Sequence, residues 1–391
     1  MALPGRAASV PGREGGSDGE LGMEMRRFIG VLAVLCLAPG ALPAGATGVA
    51  SDNIEWVRTV PYDAGLPTGA RHVGDHLYVA GSTRLSIYDV SDPLEPVRLS
   101  TTPYAFQFAN EDVDTNGKIL LLSDDQVRGG LHVWDVSDKT QPTEIAVLPG
   151  LIDHTFTCVL GCRWAYGAMG SIVDLRDPAK PVLAGDWAPG MQRGDGFDTT
   201  EVAPGLVVTA SRQIRLLDAR KNPAKPKLRA LGITPDGRLI HSNHWPRAAK
   251  DRFLLVQGET PLTPRCNETN GAFMTWDASK WKKTRSFTLI DEYRVTNGTY
   301  SDGNPALSAF GCTNMWFDPH PNFRNGGLVA SAFFEHGTRL LDVDERGRIS
   351  EVGYFLPAGG STIASYWITD EIVYSIDIVR GIDVLRVTAR R

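Results

Sequence analysis

The chain has little excess charge, few cysteines and no long hydrophobic segment. Its 391 residues carry 45 acidic and 40 basic side chains, a formal net charge of −5. It therefore lacks the excess of positive charge that non-specific binding to nucleic acid requires. The longest apolar run has 11 residues, whereas a helix that spans a bilayer needs about 20. These absences exclude a nucleic-acid-binding protein and a multispanning membrane protein.

Motifs of the common enzyme classes are also absent. The sequence contains no phosphate-binding loop, no dinucleotide-binding glycine motif, no Gly-x-Ser-x-Gly elbow and no His-Glu-x-x-His pair. No segment shows a sustained 3.6-residue periodicity, so helices are predicted to be minor. The chain is 42% hydrophobic and has 41 glycines and 25 prolines. This composition indicates a folded, turn-rich protein built mainly from strands.

The apolar run lies in a segment that is typical of a secretory signal peptide. Arg26 and Arg27 precede the run at 28–38, and small residues follow at Ala44 and Ala46. A basic start, a short apolar core and a small-residue cleavage site define such a signal. We therefore predict a signal peptide over 25–46 and a secreted mature protein without a transmembrane segment. Residues 1–24 are predicted to be either a disordered extension or the product of a wrongly assigned start.

Cleavage after the signal leaves four cysteines in the mature chain. An even number of cysteines in an exported protein favours disulfides over metal thiolates. Four cysteines permit three pairings. Cys158 and Cys162 are close in sequence, which favours a local bridge and leaves Cys266 and Cys312 as the second pair. A metal pair with Cys-x3-Cys spacing is the alternative for the first two.

One sequence pattern recurs along the chain. It reads Ser-Ile-Tyr-Asp-Val-Ser-Asp-Pro at 86–93 and Leu-His-Val-Trp-Asp-Val-Ser-Asp at 131–138. Alternating apolar residues predict a strand, and the aspartates and proline predict the turn that follows it. The copies are separated by 39 to 65 residues, close to the length of a four-stranded propeller blade. The aspartates that mark the seven copies are Asp89, Asp135, Asp174, Asp218, Asp277, Asp342 and Asp383.

Seven copies predict an all-β, seven-bladed β-propeller that forms one domain over 52–391. The last copy, at 382–387, lacks the strand that follows the turn in the other copies. A matching strand is found near the mature N-terminus, at 54–60. We therefore predict that the N- and C-terminal strands pair in one blade, which closes the ring and removes the exposed sheet edges.

The recurring segments resemble the LVIVD-repeat family, a group of mostly exported proteins that look like propellers. The stretches at 86–93, 131–138, 335–343 and 379–385 carry the resemblance. The resemblance implies an exported propeller but indicates little about activity, because a fold does not define a function.

Each innermost strand is predicted to carry a polar residue toward the central channel. Imidazole with carboxylate is a ligand set for copper, zinc or iron. The candidate metal ligands are therefore His72, His154, Asp198 and His244, with copper or zinc as the metal. The full predicted channel-face set is His72, Asp112 (or Glu111), His154, Asp198, His244 and His320 (or Cys312).

Calcium is a weaker candidate than copper or zinc. Asp112, Asp114, Asn116 and Gly117 match the first half of a calcium loop. However, Ser123 stands where the loop would need a bidentate glutamate, and Asn-Gly is the strongest signal for a two-residue hairpin turn. We therefore interpret this segment as a turn.

Three functions are consistent with the sequence. The first is a secreted, non-enzymatic scaffold that binds a ligand or a protein through the channel face. The second is a metal-dependent enzyme with a His/Asp site at the channel mouth, and the third is a cell-surface adhesion scaffold. We favour the first, expect a monomer and assign no catalytic residue.

Overall fold

The structure is a computed structural model of the full chain. It describes residues 48–62, 65–104, 113–124, 129–191, 196–235, 237–258, 271–295 and 316–388. Several predictions fall outside these residues. They are the extension at 1–24, the signal peptide at 25–46 and the residues Glu111, Asp112, Cys266 and Cys312.

The described strands form seven antiparallel sheets, which we number as blades in chain order. Strands are given from the innermost to the outermost: blade 1 contains β3 (Pro67–Val73), β4 (His76–Gly81), β5 (Arg84–Asp89) and β6 (Val97–Pro103). Blade 2 contains β7 (Asp114–Thr115), β8 (Ile119–Asp124), β9 (Gly130–Asp135) and β10 (Thr143–Pro149). Blade 3 contains β11 (Phe156–Val159), β12 (Trp164–Gly167), β13 (Ser171–Asp174) and β14 (Val182–Asp186). Blade 4 contains β15 (Gly196–Ala203), β16 (Leu206–Ser211), β17 (Gln213–Asp218) and β18 (Lys227–Ile233); blade 5, β19 (Ile240–His244), β20 (Phe253–Gly258), β21 (Phe273–Asp277) and β22 (Thr288–Tyr293).

The last two blades include the N-terminal strands. Blade 6 contains β23 (Phe317–Pro319), β24 (Gly327–Ala332), β25 (Thr338–Val343), β26 (Ile349–Pro357) and, outermost, β1 (Gly48–Ala50); blade 7 contains β27 (Thr362–Trp367), β28 (Ile372–Asp377), β29 (Gly381–Val387) and β2 (Ile54–Val60). The helical segments in the described residues are the single turns α1 (Pro246–Ala249) and α2 (Trp281–Thr284). Neither is long enough to cross a membrane.

The seven sheets form a closed ring. The inner strand of every blade contacts the inner strand of the next, and β27 of blade 7 contacts β3 of blade 1. In blade 7, β2 pairs with β29, with Ile54 opposite Val387 and Val60 opposite Ile382. The predicted seven-bladed propeller, closed by pairing of the terminal strands, is therefore confirmed. The sequence did not predict β1, which adds a fifth strand to blade 6.

A bulge recurs between the third and fourth strands of every blade, counted from the channel, and shows how the copies correspond. In blade 1 the register shifts between Ile87 and Tyr88, just before Asp89. In blade 7 the β29 residues on either side of the shift are Val384 and Leu385. The residue equivalent to Asp89 in the last copy is therefore Arg386, and the predicted aspartate Asp383 lies three residues too early. A bulge adds one residue to one strand, so the pattern of residue types alone does not locate it.

The hydrophobic core lies between neighbouring blades. Tyr78 and Ile87 of blade 1 pack with Leu120 and Trp134 of blade 2, and the same arrangement recurs around the ring. Burial of each large apolar side chain stabilises the fold by about 1.5–3 kcal/mol. Trp134, Trp164, Trp276 and Trp367 all lie in these interfaces.

The predicted local disulfide is present. Cys158 and Cys162 are bonded across the turn that joins β11 to β12. Within this turn Leu160 and Cys162 have left-handed φ angles of 54° and 59°. L-residues other than glycine avoid this conformation at a cost of about 1–2 kcal/mol each, so the bridge holds a turn that the chain does not favour.

Candidate ligand cavity at one end of the channel

The inner strands run in the same direction, so the channel has a start face, where these strands begin, and an end face, where they finish. Hydrogen bonds between neighbouring inner strands fix their relative heights. The Thr155 hydroxyl donates to the Phe197 carbonyl at 3.0 Å, and the Thr200 hydroxyl donates to the Asn243 carbonyl at 3.2 Å. The inner strands have no hydrogen-bonded neighbour strand on the channel side, so these bonds give partners to carbonyl groups that their own sheet leaves unpaired.

A second bulge, near the start of the inner strands, provides a common reference level. It falls at Thr68, Phe197, His241 and Ile363 in blades 1, 4, 5 and 7. Aromatic rings at this level contact one another around the channel. Ring centroids are 5.4 Å apart for His154 and Phe197, 5.8 Å for Phe197 and His241, and 5.2 Å for His241 and Trp316.

The predicted channel-face residues lie at different heights relative to this level. His154 lies at the height of this bulge. Asp198 is one residue farther toward the end face, and His244 is three residues farther. His72 and His320 are each four residues beyond it. Because a strand rises about 3.3 Å per residue, the set spreads over about 13 Å and does not form one ring.

Three of these side chains are held by local contacts. Asp198 is buried, and one of its carboxylate oxygens lies 3.0 Å from the Thr200 hydroxyl, whose single hydrogen is shared between this oxygen and the Asn243 carbonyl. His320 contacts the Asp370 carbonyl through Nε2 at 2.9 Å and packs against the Trp367 ring. Burial lowers the pKa of His72, which forms backbone hydrogen bonds with Gly74 and Trp367.

No three histidine, cysteine, aspartate or glutamate side chains in the described part of the chain are grouped so that they could hold a metal ion. The metal site proposed from the sequence remains a prediction. Asn116 and Gly117 form the hairpin turn between β7 and β8, where the Asn116 side-chain oxygen accepts the N–H groups of Lys118 and Ile119 at 2.9 Å. Gly117 has a φ of 85°. The interpretation of this segment as a turn is therefore confirmed.

The end face of the channel contains a cavity of about 300 Å³. Its polar lining comes from three blades: Arg71 from blade 1, Thr200 and Glu201 from blade 4, and His244 from blade 5. The remaining lining residues are Val202, Ala203, Pro204, Trp245 and Ala248. Among the predicted channel-face residues that the structure describes, His244 is the one that lines this cavity.

The Arg71 guanidinium is held beside the cavity by a buried carboxylate. Its Nε lies 3.2 Å from Oδ1 of Asp114, whose side chain is 6% exposed, compared with 42% for Arg71. Asp114 also accepts the N–H groups of Thr115 and Cys158, at 2.9 and 2.8 Å. The carboxylate is thus fixed by two backbone donors and in turn fixes Arg71.

Glu201 is fixed in a similar way on another side of the cavity. Its Oε1 accepts the N–H groups of Leu160 at 2.8 Å and Gly205 at 2.7 Å. Both of these bonds use the same oxygen, which leaves Oε2 outside them. Burial raises the pKa of Glu201, and the two backbone donors partly offset this effect.

Two titratable groups near Arg71 have pKa values shifted in opposite directions. Burial, together with the smaller effect of the positive charge of Arg71, lowers the pKa of His244 to about 4, so the imidazole is neutral at neutral pH. Burial raises the pKa of Asp318 to about 7. Two weaker effects oppose this rise: the hydrogen bond of 3.0 Å that the carboxyl accepts from the Trp367 N–H, and the positive charge of Arg71. Shifted pKa values of this kind are more frequent at functional sites than elsewhere.

The disulfide turn supports both acidic groups at this face. The Cys158 N–H donates to Asp114, and the Leu160 N–H donates to Glu201. The bridge between Cys158 and Cys162 therefore stabilises the turn that positions these two carboxylates.

The wall formed by Trp245 and α1 has an unusual backbone. Arg247, Ala248 and Ala249 have φ angles between 53° and 60°, a left-handed conformation that is rare in consecutive L-residues. The segment is tied down by the Trp245 indole, which donates to the Asp251 carbonyl at 2.8 Å, and by Arg247, which bonds the Asp251 carboxylate at 2.7 Å. Backbone strain of this kind concentrates at ligand sites.

Sequence reasoning missed most of the cavity. Arg71 directly precedes the predicted His72, and side chains of adjacent strand residues point to opposite faces. Thr200 and Glu201 follow the predicted Asp198 by two and three residues. An arginine within a predicted inner strand was the available signal for this site, because buried strands rarely carry charge.

Comparison with known families agrees with the architecture. The model of the LVIVD repeat matches residues 73–101, which extend from the end of β3 into β6 and thus cover most of blade 1. The predicted resemblance to this family is therefore confirmed for that repeat. No curated protein matches the chain.

Proposed function

We propose that this LVIVD-repeat propeller is an exported binding scaffold whose ligand site is the cavity at the end face of the channel. One observation carries the proposal: polar side chains from blades 1, 4 and 5 line a single cavity, and its two charged groups are fixed by other residues. Groups that are positioned in advance lose less entropy on binding. A concave site with a few fixed polar groups among apolar ones is typical of small-molecule binding.

Export is part of the same proposal. The basic pair at 26–27, the apolar run at 28–38 and the small residues at 44 and 46 support it. A disulfide between Cys158 and Cys162 also suits an oxidising compartment. Fractionation of cells that express the full chain, with N-terminal sequencing of the product, tests this part. We expect a mature N-terminus near residue 47 outside the cytoplasm; an uncleaved cytoplasmic chain would contradict export.

Ligand binding is tested with a variant of the cavity and a matched control. A small-molecule library is screened by thermal shift against the wild-type chain, and each compound that binds is then measured by calorimetry. Arg71→Met removes the cavity guanidinium, whereas Arg84→Met removes an exposed arginine of the same blade. We expect at least a tenfold loss of affinity in the first variant and none in the second. Equal affinities in the two variants would place the site elsewhere.

The metal-dependent enzyme remains the alternative, with His72, His154, Asp198 and His244 as its ligands. Metal analysis of protein purified without chelators distinguishes it from the scaffold. Near-stoichiometric copper or zinc that is lost in His154→Ala or His244→Ala would favour the enzyme over the scaffold. Less than about a tenth of an equivalent of transition metal would argue against the enzyme.

A further inference from the structure

The cavity presents two opposite charges that are held by different partners. Arg71 is paired with Asp114, while Glu201 is held by the backbone N–H groups of Leu160 and Gly205. The two groups belong to blades 1 and 4, which are not adjacent in the ring. A cation and an anion therefore line the same cavity from separate blades.

A ligand with a single charge suits only one of these groups. A simple anion would find Arg71 but would also meet the carboxylates of Glu201 and Asp114. A simple cation would find Glu201 but would meet the guanidinium. Like-charge contacts in a partly desolvated site oppose binding, while complementary contacts favour it.

We infer that the cavity binds a small zwitterionic aminocarboxylate, with the carboxylate on Arg71 and the ammonium group on Glu201. The guanidinium can engage a carboxylate through paired N–H groups. Oε2 of Glu201 is outside both backbone hydrogen bonds, so it can accept from the ammonium group.

The rest of the lining fits the same class of ligand. Thr200 and His244 also line the cavity and offer hydrogen-bonding groups to a ligand. Val202, Pro204 and Trp245 provide an apolar wall for a hydrocarbon side chain. The volume of about 300 Å³ lies at the lower end of the range for small-molecule sites, so the ligand is of the size of a single amino acid.

This inference rests on the proposed function, and its test separates the two. Calorimetry with the full chain compares leucine with leucinamide, which lacks the carboxylate, and with N-acetylleucine, which lacks the ammonium group. 4-Aminobutyrate and 6-aminohexanoate, each measured against the analogues that lack one charge, test longer spacings between the two charges. We expect at least one aminocarboxylate to bind tenfold more tightly than both of its singly charged analogues.

Two variants assign the two charges. Arg71→Met is expected to abolish the preference over the amide, and Glu201→Gln the preference over the N-acetyl compound. Glutamine keeps an oxygen that can accept the Leu160 and Gly205 N–H groups, so the turn should remain closed. Arg84→Met and Glu345→Gln, which change exposed residues, are the controls and should retain both preferences. Circular dichroism and thermal unfolding verify that each variant folds.

The outcomes are distinguishable. Equal binding of an aminocarboxylate and its singly charged analogues, abolished by Arg71→Met, would overturn the inference and leave the cavity as a binding site. Wild-type preferences in both cavity variants would also overturn the inference. Binding of no compound in the series or in the wider library would overturn the proposed function as well.

Discussion

Removal of the Cys158–Cys162 bridge should destabilise the propeller and loosen its end face. In the double variant Cys158→Ser/Cys162→Ser the unfolded chain regains the freedom that the bridge removes. For two cysteines four positions apart, the loop-closure relation gives about 2 kcal/mol. The turn also donates to Asp114 and Glu201, and weakening of each hydrogen bond costs about 1 kcal/mol. The expected loss is therefore about 2–4 kcal/mol.

Urea unfolding of the wild type and the double variant, both oxidised, measures this loss directly. With an unfolding entropy of about 2.1 cal/mol/K per residue and a domain of about 340 residues, the same loss lowers Tm by about 3–6 °C. Hydrogen exchange should increase first at 156–167, which form the hairpin closed by the bridge. A loss below about 0.5 kcal/mol, the usual effect of a surface substitution, would refute the reasoning.

The double variant also tests the second predicted bridge. If Cys266 and Cys312 are bonded, a reductant should destabilise the double variant further. If the reductant changes the wild type but not the double variant, the pairing of Cys266 with Cys312 is wrong.

Two buried carboxylates and the closing strand of the ring can each be tested by one change. Burial raises the pKa of Asp318 from 3.8 to about 7, so the folded state favours the protonated carboxyl and the free energy of unfolding falls as the pH rises from about 4 through 7. Asp318→Asn should therefore flatten the decline in urea midpoint between pH 5 and pH 8. An unchanged slope would contradict this. Glu201→Ala leaves two N–H groups without their acceptor and should cost about 2–4 kcal/mol in urea unfolding, against under 1 kcal/mol for Glu201→Gln; equal losses would show that these hydrogen bonds contribute little. Deletion of residues 1–60 removes β1 from blade 6 and β2, the outer strand of blade 7, and should give a chain that aggregates in light scattering. A soluble monomer with the wild-type Tm would contradict closure of the ring by β2.

The sequence predicted the propeller because each blade repeats one strand-turn-strand pattern. The strands at 54–60 and 382–387 are far apart in the chain, yet the missing strand of the last copy was enough to predict that these two strands pair. The aspartate that marks the last copy was wrongly placed at Asp383. The equivalent position is Arg386, which lacks the aspartate found there in the other copies. The local disulfide was predicted from the short spacing of Cys158 and Cys162 alone.

The ligand cavity was harder to predict for a physical reason. Its lining depends on how far each inner strand extends beyond its bulge, and a bulge reverses which side chains face the channel. His72 and Asp198 were chosen by residue type, whereas Arg71 and Glu201 are the residues that line the cavity. Arg71 is positioned by Asp114, and Glu201 is positioned by the backbone of the disulfide turn. In both cases the supporting group is distant in sequence from the residue that it holds.

The central claim is that the end-face cavity is the ligand site of the propeller. The most direct measurement is a crystal structure of the full chain grown with leucine or 4-aminobutyrate, whichever binds more tightly in calorimetry. We expect electron density in the cavity, with the carboxylate on Arg71 and the ammonium group on Glu201. Density for the ligand at another place, with water alone between these two side chains, would contradict it.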